Sequence, residues 1–127
     1  MKVIGFRSDK DGKIIHGNYI SESSISAEIF LPANELDEIV EYLNNGIPLL
    51  SLTLWLMDGN KNIGPYRILT DGEWIWPSHF SYFVKNGDYR LTKKFVSHIE
   101  ANKFLVRKLT DKQLININSH LRDMLNI

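Results

Sequence analysis

Apolar and polar positions in this chain follow two different periods, and the change of period marks the elements. Lys2–Arg7 and Lys13–Ile20 read as strands, with the polar stretch Ser8-Asp9-Lys10-Asp11-Gly12 as a hairpin turn between them. Ile25, Ala27, Ile29 and Leu31 alternate with Ser26, Glu28 and Phe30, which predicts a third strand. The period then becomes helical. Pro32 suits the first turn of a helix because its missing N–H has no partner there. Leu36, Ile39, Val40 and Leu43 form one apolar stripe, Glu35, Asp37, Glu38 and Glu41 avoid it, and Asn44-Asn45-Gly46 ends it with Gly46 as a left-handed cap.

Period two returns in Pro48–Met57. Both faces of that run are largely apolar, as expected of a central strand. After a loop at 58–62, Tyr66–Thr70 and Glu73–Trp76 read as strands joined by a tight Asp71-Gly72 turn, with Trp74 and Trp76 on one face. Three helices are predicted to follow. The first spans Pro77–Asn86 and is capped by Gly87; the second spans Lys93–Asn102 with Thr92 as N-cap. The third lies behind a Thr110-Asp111-Lys112-Gln113 capping box and carries Leu114, Ile117, Leu121 and Leu125.

The pattern predicts a single α+β domain over residues 1–127. An antiparallel sheet with one helix fills the N-terminal half, and a mostly helical C-terminal half packs on it. Leu52, Leu54, Trp74, Trp76, Phe80, Phe83, Phe95, Ile99 and Leu121 are the expected core.

Composition narrows the class. With 43% hydrophobic and 24% charged residues, the chain can build a core without staples. It has no cysteine, which excludes disulfides, thiol catalysis and Cys-based zinc sites, and fits a reducing cytosol. The early Lys2 is followed by no apolar region, so no signal peptide is expected. The longest apolar run, Ile47–Met57, is too short for a bilayer. The chain therefore reads as soluble and cytoplasmic, without membrane contact. Net charge is zero, yet Glu22–Glu73 holds nine acids to two bases and Lys85–Arg122 nine bases to three acids. Such polarity steers association with a charged partner.

Little of the chemistry-bearing inventory converges. The histidines His16, His79, His98 and His120 lack metal-ligand spacing, and the eight glycines form no phosphate loop. Ser78-His79 are chain neighbours whose side chains diverge on a helix. Asp71 and Glu73 beside Trp74 and Trp76 resemble the composition of a sugar site, which requires an open cleft and a second acid set across it. The turn and the core account for these four residues more simply. Lys93-Lys94, Lys103, Arg107-Lys108 and Lys112 with Phe95 and Phe104 make nucleic-acid binding the second class weighed, against neutral global charge and phenylalanines at core spacing. The expectation is a chain that is not an enzyme, with no catalytic residue, cofactor or metal, and with nucleic acid disfavoured as a partner.

The run Ile68-Leu69-Thr70-Asp71-Gly72-Glu73-Trp74-Ile75-Trp76-Pro77, followed by Phe80-Ser81-Tyr82-Phe83-Val84, resembles a segment of small bacterial immunity-type proteins associated with polymorphic or contact-dependent growth-inhibition toxins. The resemblance covers about Tyr66–Phe104. It implies an immunity protein that binds and neutralises a cognate toxin domain, a nuclease by preference, and it carries no binding residues with it. Nucleic-acid enzymes present basic surfaces, so the partner-binding residues expected here are acidic: Glu35, Asp37, Glu38 and Glu41 on the outer helix face, extended by Asp71 and Glu73.

Overall fold

A computed structural model of the chain describes residues 2–6, 33–86 and 91–125, with side chains throughout these spans except at 33–34, 51–54 and 124–125. The elements are β1 (Lys2–Val3), α1 (Ala33–Asn44), β2 (Ile47–Asp58), β3 (Lys61–Thr70), β4 (Trp74–Pro77), α2 (Phe80–Lys85), α3 (Lys93–Ala101) and α4 (Asp111–Leu125). The strands expected at 14–20 and 25–30, the turn at 8–12, the helix start at Pro32, the cap at Gly87, His16, and the side chains of Leu52, Leu54 and Leu125 lie outside the described residues.

The described strands form one sheet in the order β1-β4-β3-β2. β2 with β3 and β3 with β4 are antiparallel, but β1 runs parallel to β4, with Lys2 opposite Trp74 and Val3 opposite Ile75. The sheet is therefore mixed, which corrects the purely antiparallel expectation. The N-terminal strand pairs with a segment distant in sequence. It crosses to the far edge of β4, where Lys2 N–H donates to Glu73 O at 3.3 Å and Ile4 N–H to Ile75 O at 3.0 Å.

β4 explains the layering. Successive side chains on a strand point to opposite faces. Trp74 and Trp76 enter a cluster with Ile39, Tyr42 and Leu43 of α1, Phe80 and Val84 of α2, and Phe95, Val96 and Ile99 of α3. Ile75 points the other way, with Tyr66, Ile68 and Leu56, against Ile117 and Leu121 of α4. Helices thus cover both faces of the sheet. The C-terminal half is not predominantly helical, a second correction: β3 and β4 run on to Pro77, and the three helices after them are 6, 9 and 15 residues long. Trp74, Trp76, Phe80, Phe83, Phe95, Ile99 and Leu121 are all buried, as the periodicity predicts.

Local signals act through two different mechanisms. Thr92 accepts from Phe95 N–H, and Thr110 and Gln113 cap each other reciprocally: Gln113 Oε1 accepts from Thr110 N–H at 2.8 Å and Thr110 Oγ1 from Gln113 N–H at 3.2 Å. Gly46, by contrast, is absent from the positive-φ glycines, which among the described residues are Gly5, Gly59, Gly64 and Gly72. Its hydrogen matters for packing instead, since a Cβ there would lie 2.7 Å from Trp76 and 2.8 Å from Leu69. The first C-terminal helix begins at Phe80 rather than Pro77. Pro77 ends β4 and pairs with Ile68, and Ser78 N–H then bonds Arg67 O at 2.8 Å.

β2 departs from simple alternation. Its register with β3 shifts between Pro48 and Leu50, between Ser51 and Trp55, and between Leu56 and Met57. Such irregularities re-aim side chains. Leu49 and Leu50 accordingly both pack on the cluster facing α4. Among the described residues β2 has one neighbour, β3.

Candidate functional site

The Thr70–Trp74 turn is built almost wholly from its own side chains. Thr70 Oγ1 donates to Trp74 O at 2.7 Å and accepts from Gly72 N–H at 3.0 Å. Asp71 Oδ1 accepts from Glu73 N–H and Trp74 N–H, both at 2.9 Å. Gly72 holds φ +107°, which L side chains rarely adopt. Each residue of the Thr-Asp-Gly-x-Trp-x-Trp segment therefore has a local role: two set the turn by hydrogen bonds, one permits the backbone, and the tryptophans fill the core.

The other carboxylate oxygen joins elements distant in sequence. Asp71 Oδ2 accepts from the Tyr42 hydroxyl of α1 at 2.6 Å and from His98 Nε2 of α3 at 2.6 Å. His98 Nδ1 lies 3.4 Å from Glu73 Oε2, so the imidazole is placed between two carboxylates. With Nε2 committed to Asp71, the Asn102 amide donates to the Tyr42 hydroxyl at 3.3 Å, and its 3.2 Å approach to Nε2 is a packing contact. Burial, and then the neighbouring Asp71 carboxylate that its hydroxyl must face, push the Tyr42 phenol well above its ordinary value. Phe95 stacks against the His98 ring at 6.2 Å.

This network is a clamp between α1, the turn and α3. Its central carboxylate is 1% exposed and the imidazole 12%, while Glu73 is 70% exposed. Both Asp71 oxygens are occupied, and the two imidazole nitrogens face different carboxylates, so the three groups do not converge on one point. Among the described residues no group of three His, Asp or Glu is placed to hold a metal ion. Trp74 and Trp76 are fully buried, so they do not wall an open carbohydrate cleft. Ser78 Oγ donates to Pro65 O and accepts from Arg67 N–H, and His79 is buried between the rings of Tyr66 and Phe83.

Of the acidic residues singled out by sequence, Asp37, Glu38 and Glu41 are exposed on α1 and Glu35 is half-buried at the margin of the stripe. None of the four is ion-paired among the described residues, and α1 contains no basic residue. Asp71 belongs to the interior, and Glu73 is the exposed member of the turn pair. The basic residues Lys93, Lys94, Lys103, Arg107, Lys108 and Lys112 are exposed, but Phe95 is fully buried and Phe104 half-buried, which withholds the aromatic faces that bases stack on.

Two features escaped sequence reasoning. Trp55 and Met57, on β2, are 56% and 44% exposed, and Trp55 Nε1 donates to Asn62 Oδ1 across the hairpin, which holds the indole in place. An apolar strand signals two buried faces, but here alternation puts Trp55 and Met57 on an exposed face and Leu56 between them on the buried one. The Asp71–His98–Tyr42 network carries no spacing signal, because its members are 27 and 29 residues apart.

No protein-family model, curated protein or solved structure matches this chain. Among the described residues no helix is long and apolar enough to cross a membrane.

Proposed function

We propose that this chain is an immunity protein that binds a cognate toxin domain, a nuclease with a basic active-site surface, in the cytosol and blocks its access to substrate. The observation that carries this reading is the outer face of α1: Asp37, Glu38 and Glu41 are exposed, with no ion pair among the described residues and no cation on the same helix. Uncompensated carboxylates on a rigid helix speed encounter with a basic surface. Trp55 and Met57 supply the large apolar side chains that typically set the lifetime of such a complex. The resemblance of the Ile68–Pro77 segment supports the immunity reading, and its local turn chemistry fits a framework segment better than a contact surface.

Co-expression with the toxin domain encoded by the adjacent gene tests the proposal. Wild type is expected to rescue growth. Reversal of Glu35, Asp37, Glu38 and Glu41 to lysine in a still-folded protein is expected to abolish rescue by slowing association. Full protection by that variant removes the acidic-face mechanism, and failure to form a complex with any neighbouring gene product removes the immunity reading.

A further inference from the structure

The connection between α3 and α4 has an unusual backbone balance. Leu105 N–H bonds Asn102 O at 3.1 Å, and Thr110 is held at the other end by Gln113 Oε1 and by Leu114 N–H on its carbonyl. Between them, Val106, Arg107, Lys108 and Leu109 make no backbone hydrogen bond among the described residues. The segment is exposed or half-buried, so water meets these groups, and they can exchange it for the main chain of an extended peptide.

Its side chains alternate from Phe104 to Arg107, and Lys108 then breaks the alternation by facing solvent beside Arg107. Phe104 and Val106 pack inward on the cluster beneath α3, and Leu109 on the cluster beneath α4. Leu105, Arg107 and Lys108 point to solvent, Leu105 with 67% exposure. The entry is fixed by two consecutive left-handed residues, Lys103 at φ +55° and Phe104 at φ +57°, whose N–H groups bond Glu100 O and Ile99 O. The segment is therefore held in one shape before anything binds, which lowers the ordering cost of association.

Charge states what would bind. Lys103, Arg107, Lys108 and Lys112 are exposed, and none is ion-paired among the described residues. Arg107 and Lys108 line a depression of ≈ 190 Å³ together with Gln113, whose amide N–H adds a donor suited to a carboxylate, with Asn102, whose amide donates to Tyr42, and with Asp71, whose carboxylate is occupied by its own four hydrogen bonds. Glu73 also borders it, but its carboxylate is turned toward His98. We propose that Leu105–Leu109 is a docking strand for an extended acidic peptide of a partner protein: the free backbone groups pair with the peptide main chain, Leu105 offers an apolar contact, and Arg107 and Lys108 receive its carboxylates. A nucleic acid fits less well, because the neighbouring Phe95 and Phe104 rings are not available for stacking. The proposal stands independently of the toxin reading, which uses the acidic α1 face.

The test is titration of the full chain with a short peptide of alternating glutamate and valine, followed by calorimetry and amide NMR. The amides of Val106–Leu109 are expected to shift and to become protected from hydrogen exchange, and binding is expected to weaken about tenfold between low and physiological salt. Arg107→Glu with Lys108→Glu, both exposed and so compatible with an unchanged circular dichroism spectrum, is expected to remove binding. An N-methylated peptide of the same sequence keeps the charge but cannot pair its backbone, and is expected not to bind. Equal binding of the methylated peptide, absence of binding by the acidic peptide, or tighter binding of oligouridylate at the same amides would overturn the proposal.

Discussion

Asp71 is the residue whose removal is expected to reveal most about how this fold is held together. Its carboxylate accepts four hydrogen bonds: Glu73 N–H and Trp74 N–H on Oδ1, Tyr42 O–H and His98 Nε2 on Oδ2. In Asp71→Ala the Trp74 amide and the Tyr42 hydroxyl lose their acceptors in the interior. An unsatisfied buried group costs about 1–3 kcal/mol. Allowing for partial relaxation, a loss of about 4 kcal/mol is expected, within the roughly 3–5 kcal/mol found when a buried charged partner is deleted. Asp71→Asn separates the two halves of the role. Its carbonyl oxygen still serves the turn amides, but its NH2 cannot accept from Tyr42 and His98, so about 2 kcal/mol is expected to be lost. Urea denaturation followed by circular dichroism and tryptophan fluorescence gives both values. A cost under about 1 kcal/mol for alanine would refute the clamp. Equal costs for the two variants would show that the turn hydrogen bonds contribute nothing separable.

Trp74 is fully buried, so Trp74→Ala is expected to cost about 3–5 kcal/mol in the same assay, and a small loss would mean its packing contributes little. Gly5→Ala places a Cβ 2.4 Å from the buried Phe80 ring at φ +84°, and a destabilisation of about 3 kcal/mol is expected; unchanged stability would show that the N-terminal strand is not held against α2. Tyr42 supplies a pH test. Its folded phenol titrates above the unfolded value near 10, so its contribution is fully present below about pH 10 and is lost as pH rises toward the folded value. Wild type is expected to lose stability from about pH 10 upward more steeply than Tyr42→Phe, with one of its five tyrosines resisting ionisation in the tyrosinate absorbance titration. Parallel pH profiles for the two proteins would remove that coupling.

Sequence by itself determined what depends on neighbours within a few residues. The helical stripe of α1, the Thr92 cap, the Thr110–Gln113 box, the Asp71-Gly72 turn and the shared face of Trp74 and Trp76 were legible because a cap, a turn or an amphipathic period is closed locally. Gly46 shows the limit even there: its position at a helix end was readable, but its reason is the Trp76 ring against it. Tertiary structure alone decided which strand β1 would join, because the edge of β4 is offered by a segment some 70 residues away and period two is the same for parallel and antiparallel pairing. It also decided that α4 covers the face opposite the other helices, since an apolar stripe specifies burial but not against what. The polar clamp follows the same logic. Asp71 was visible as a turn residue, but its meeting with Tyr42 and His98 required α1 and α3 to be packed on the same face of the sheet. Exposure of Trp55 and Met57 was decided there too: alternation sets them on one face of β2, and hydrophobicity does not encode whether a layer covers that face.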